Sequence, residues 1–86
     1  MLRVEMLDQA LDLAVRLGYT VRQDCFAGSG GGACQLKGRK FLFVDLDVGP
    51  DEQLDQVLAA LRHEPNALTF PIPRELGELL KVRKSA

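Results

Sequence analysis

The stretch Lys37-Gly38-Arg39-Lys40-Phe41-Leu42-Phe43-Val44-Asp45-Leu46 decides how this chain folds. A strand sends alternate side chains to opposite faces, so Phe41 and Phe43 fall on one side and Leu42 and Val44 on the other. Large apolar residues on both sides predict a strand over 40–46 that is central, or covered on both faces. On its N-terminal side, Lys37-Gly38-Arg39 is a tight-turn signal between two apolar runs. It predicts a hairpin with a short strand over 33–37, in which Cys34 and Leu36 share a face. On its C-terminal side, Pro50 suits the first position of a helix, and Asp51 and Glu52 place negative charge where the helix dipole favours it. Leu54, Val57, Leu58 and Leu61 then recur at helical spacing, and Pro65 ends the run.

Working outward, Val4, Leu7, Ala10, Leu11, Ala14, Val15 and Leu17 recur at spacings of three and four. They predict a helix over 3–17, closed by Gly18. Tyr19 to Phe26 is rich in residues that suit a half-buried strand, with Tyr19, Val21 and Cys25 on one face. Gly28-Ser29-Gly30-Gly31-Gly32 interrupts regular structure before the next strand. Leu68-Thr69-Phe70 reads as a short extended link, and Pro73 opens a last helix with Leu76, Leu79 and Leu80 on its apolar side. The order is α-β-β-β-α-α. Short connections between the strands predict an α+β domain over 1–86, a three-stranded antiparallel meander packed with helices. The strand over 40–46 then needs cover on its second face, from the last helix or from another subunit.

Composition narrows the function classes. Eleven basic and twelve acidic residues give a net charge of −1, which supplies no cationic field for nucleic acid. The basic run Lys81-Val82-Arg83-Lys84 reads as a solvated, frayed tail and not as a recognition patch. No stretch approaches the roughly 18 apolar residues of a membrane span. Glu5, Asp8 and Asp12 in a helical pattern argue against a signal peptide, so the two cysteines read as free thiols and the compartment as the cytoplasm.

Three groups of residues invite a chemical reading. The glycine loop over 28–32 leads into a strand rather than a helix, and no Gly-Lys-Ser/Thr follows, so it reads as a flexible connection and not a phosphate cradle. Asp45, Asp47, Asp51 and Glu52 crowd carboxylates near one strand end, but their spacing fits no calcium loop, and Asp51 and Glu52 serve the helix start. Cys25 and Cys34 flank the glycine loop on strands placed to be neighbours. Cysteine is among the most buried residue types, which favours two core thiols. The alternative is a thiol or metal site, with Cys34 reactive beside a cation such as Arg22 or His63. Cys25, Cys34 and His63 together would fall one ligand short of a closed zinc set.

The segment from Gly30 to Asp45, with its Gly-rich Cys34 hairpin and apolar strand ending in Asp, and the helix start Gly49-Pro50-Asp51-Glu52-Gln53 resemble the opening of ImmA/IrrE-type metallopeptidase domains. The resemblance covers about half the chain. It implies a helix, a sheet with this hairpin, and then a helix carrying His-Glu-x-x-His for zinc. Counted from Pro50, that pentapeptide falls on Ala59-Ala60-Leu61-Arg62-His63, where only the final histidine is present. Zinc needs both histidines on one helix face, and hydrolysis needs the glutamate as base. No catalytic or metal role carries over. The chain is also similar to short bacterial proteins with the same glycine–cysteine hairpin. The expectation is a small non-enzymatic domain without a cofactor, acting through protein–protein contact or self-association. The alternative is a thiol or metal-binding protein centred on Cys25 and Cys34.

Overall fold

Helix α1 (Arg3–Arg16) begins where Glu5 reaches back to accept a hydrogen bond from the Leu2 amide at 3.2 Å, satisfying one of the donors a helix start leaves open. These elements come from a computed structural model, which describes residues 2–28 and 31–81. The α1 face that enters the core is Met6, Leu7, Ala10, Leu13 and Ala14. Val4 and Val15, expected on that face, are 54% and 58% exposed, so the stripe is rotated from the predicted one. Helix α2 (Pro50–Leu61) starts at its proline and buries Leu54, Val57, Leu58 and Leu61 as its spacing predicts, with Ala60 besides. Each aliphatic side chain buried in this way contributes about 1.5–3 kcal/mol.

The sheet corrects the predicted meander. Strands β1 (Tyr19–Asp24), β2 (Gly32–Leu36) and β3 (Arg39–Asp45) lie in the order β1-β3-β2, with β1 parallel and β2 antiparallel to β3. The chain leaves β1, passes over the end of β3 and descends as β2 on the far side. A turn at Lys37 and Gly38 (φ 52° and 78°) then sends β3 up through the gap. The physical reason lies in the residues. A meander would put β2 at the centre, yet its Ala33, Cys34, Gln35 and Leu36 are all exposed, whereas Leu42 and Val44 of β3 are fully buried. The strand with apolar residues on both faces takes the middle. Glycine allows the crossing, because a Cβ on Gly31 would collide with the carbonyl oxygen of Phe43.

Leu42 and Val44 face α1 and α2, which form a single layer on one side of the sheet. The link after α2 differs from the extended one predicted. Ala67–Thr69 is a 3-10 turn, closed where the Thr69 hydroxyl donates to the Asn66 carbonyl at 2.6 Å. Helix α3 (Arg74–Lys81) buries Leu76 and Leu80 against α1 and α2, so it joins the helical layer and leaves the second face of the sheet alone. No helix among the described residues is long and apolar enough to cross a membrane. Of the basic run, Val82, Arg83 and Lys84 lie outside the described residues, as do Ser29 and Gly30 of the glycine loop.

Candidate functional site

The face that no described helix covers is set by strand alternation. Pairing puts Thr20, Phe41 and Cys34 in one row across the sheet, Arg22, Phe43 and Gly32 in the next, and Arg39 beside Leu36 at the hairpin end. Phe41 and Phe43 lie with ring centroids 6.0 Å apart and planes within 16°. Phe26, from the crossing segment, meets Phe43 edge-on at 6.0 Å. The Arg39 guanidinium sits 5.4 Å from the Phe41 centroid. The three rings shield one another and remain half-buried, with Leu36 59% exposed beside them.

The carboxylates near the end of β3 fasten the crossing. Asp45, fully buried, accepts from the amides of Phe26 at 3.0 Å and Asp47 at 2.9 Å. Asp47 accepts from the Ala27 amide at 2.7 Å, and the Leu46 amide donates to the Asp24 carbonyl at 2.8 Å. A chain passing over a sheet end loses ladder partners for its amides, and these acceptors replace them. Asp51 stands apart, 3.6 Å from Arg3. Among the described residues no group of three or more His, Cys, Asp and Glu is placed to hold a metal ion.

Both cysteines are exposed, which corrects the expectation of core thiols, and β3 separates the strands that were expected to be neighbours. Cys25 lies just beyond β1. Its thiol is hydrogen-bonded to Asp47, and that bond, followed by the charge of the same carboxylate, holds it protonated above its ordinary range. Cys34 stands on the bare face opposite Phe41. His63 follows α2, its amide donating to the Ala60 carbonyl at 3.2 Å, and lines an open groove of about 820 Å³ between the end of α2 and α3. The structure does not bring Cys25, Cys34 and His63 together as one ligand set. Ala59 is exposed and Ala60 buried on α2, in the stretch where the resemblance would need His and Glu.

A second polar cluster has no counterpart among the sequence expectations. The Tyr19 hydroxyl donates to Glu64 at 2.7 Å, and the Lys40 ammonium lies 3.3 Å from the same carboxylate and 4.7 Å from the Tyr19 ring centroid. Burial, then this bond, then the Glu64 charge push Tyr19 up to about 12. The Tyr19 hydrogen bond, with help from Lys40, holds Glu64 below the usual carboxylate range. The cluster ties β1, β3 and the end of α2 at the hairpin end of the sheet. Only the parallel pairing sets Tyr19 beside Lys40, so no local pattern announces it.

Compared with known proteins, the chain matches no family model, no curated protein and no solved structure.

Proposed function

We propose that this chain is a small non-enzymatic interaction domain of the cytoplasm that binds protein on the bare face of its sheet. The observation that carries this reading is the cluster of Phe26, Phe41 and Phe43, half-buried and facing away from all three helices. Grouped apolar surface marks contact sites, and aromatic residues with arginine are enriched in the cores of such sites. The charge of −1 supports a protein partner over a nucleic acid. Engagement of Asp45 and Asp47 in fastening the crossing supports a role without catalysis. Two exposed free thiols suit a reducing compartment. Kinship with ImmA/IrrE-type domains enters only as proposed ancestry, with Ala59 and Ala60 standing where zinc chemistry would be.

One observation favours a second reading, thiol chemistry at Cys34: its side chain is exposed on the same face, beside Phe41. Cys34→Ser separates the two, since it leaves protein contact intact under the first reading and removes function under the second. The direct test of the first is a photo-reactive amino acid at Leu36, introduced in cells that naturally hold the chain. Discrete protein adducts are expected, and they should disappear when Phe43→Asp is added. A folded chain that yields no adduct overturns the reading.

A further inference from the structure

The bare face carries charge of opposite sign at its two ends. Lys37 and Arg39 stand at the hairpin end, both exposed, while Asp24 and Asp47 stand exposed at the crossing end, with Arg22, also exposed, one row in from Asp24. The aromatic pair Phe41 and Phe43 lies between them, and Gly32 leaves the row of Phe43 without a side chain on the β2 side.

Resting on the protein-contact reading above, we infer that the partner is a second copy of this chain, docked face to face about a two-fold axis that runs across the strands. Of the two-fold axes in the plane of the face, two keep the strands of the copies aligned, and charge chooses between them. An axis along the strands sets each row against its own image, so Arg39 meets the partner's Arg39 and the two acidic ends meet each other. Like charges juxtaposed in this way oppose association. An axis across the strands runs the two copies of β3 antiparallel. Phe41 then packs on the partner's Phe43, and the hairpin end of each copy lies over the crossing end of the other. Arg39 reaches toward the partner's Asp24, and symmetry repeats each contact.

The size of the face sets the strength. Three strands spaced about 4.8 Å apart, rising about 3.3 Å per residue, make a patch of about 14 by 17 Å. That is well short of the roughly 800 Å² per partner of a standard stable interface. The dimer is therefore reversible, with a dissociation constant on the order of tens of micromolar to a millimolar.

Sedimentation equilibrium of the purified chain over a concentration series tests this with three proteins: the native chain, Arg39→Glu and Asp24→Arg. Both substitutions are at exposed positions and should keep the fold, as circular dichroism would verify. The native chain dimerises, and each variant alone dimerises about tenfold more weakly, because each sets two like-charge pairs across the axis. An equimolar mixture of the two variants forms a heterodimer of native strength, since every pair is again opposite in sign. A native chain that stays monomeric at about 1 mM overturns the inference. So does a mixture no stronger than its components, or retention of a labelled single-stranded RNA by the monomer. Photo-adducts from Leu36 to a different protein, with the purified chain monomeric, would sink the second copy and keep the contact reading. Loss of both results would sink both.

Discussion

Leu42 and Val44 on one face of β3, and Phe41 and Phe43 on the other, come from one unbroken apolar run, yet the first pair is fully buried and the second stays partly in water. Hydrophobicity alone did not sort them. What sorted them is the number of helices and where the third one goes. Helices α1 and α2 cover one face, and α3 finds its apolar contacts on those helices through Leu76 and Leu80. Phe41 and Phe43 are left to pack on each other, with Phe26 and Arg39 beside them. The comparison separates residues that hold the fold from residues left available for contact.

Truncating one residue on each face of β3 tests the difference directly. Leu42→Ala should cost about 2–5 kcal/mol in a urea titration, a large share of the roughly 5–10 kcal/mol available to so small a domain. Phe43→Ala should cost only about 1–2 kcal/mol, from a lost ring pair and cross-strand contacts. Equal costs would erase the distinction between the faces. Between these lies Gly31→Ala, at about 1–3 kcal/mol, because the new Cβ must displace the Phe43 carbonyl from β3. A neutral result would mean that the crossing does not lie against β3.

The polar cluster on the helix-covered side gives a pH test. Tyr19 is the single tyrosine and the chain has no tryptophan, so tyrosinate absorbance reads it alone. Folded, it should ionise near about 12; unfolded, it should revert to about 10. Because the folded value is raised, its contribution to stability is complete below about pH 10 and is lost as pH rises through the folded value. Glu64 runs the other way. Its folded value is depressed, so its contribution is complete above about pH 4.3 and is lost as pH falls below that. Glu64→Ala should bring the Tyr19 midpoint part of the way toward its ordinary value. An unmoved midpoint would leave burial as the sole cause.

The smallest expected effect lies on the crossing. Asp47 holds the Cys25 thiol protonated, so Asp47→Asn should speed alkylation of Cys25 several-fold at neutral pH. Mass spectrometry after timed labelling reads the two cysteines separately. An unchanged Cys25 rate would show that the bond to Asp47 does not govern this thiol.

Elements with strong local signals are legible in the chain itself. The stripe of α2 is the clearest, since Pro50, the two acids and Leu54, Val57, Leu58 and Leu61 all agree. For α1 the existence is plain and the face is not. Val4 and Val15 fit the same spacing of three and four yet stay exposed, while Met6 and Leu13 are buried. The sheet holds a conflict in its own sequence: an apolar run on both faces asks for a central strand, while a meander would place β2 there. The central-strand signal is the stronger, because burial of β3 outweighs the habit of pairing consecutive strands. Among the site residues, Phe41, Phe43 and Cys34 are visible as occupants of one face of their strands. Phe26 is not, because it reaches Phe43 only through the crossing.

Local sequence sets the three helices and three strands, the turn at Lys37-Gly38 and the two-faced character of β3, because each rests on contacts within a few residues. Tertiary structure decided the strand order, the fastening of the crossing by Asp45 and Asp47, and the pairing of Tyr19 with Glu64. It also decided which apolar face stays bare. These depend on residues far apart in the chain meeting in space, and whether α3 covers the sheet or the helices depends on which surface it reaches. No periodicity along the chain encodes that.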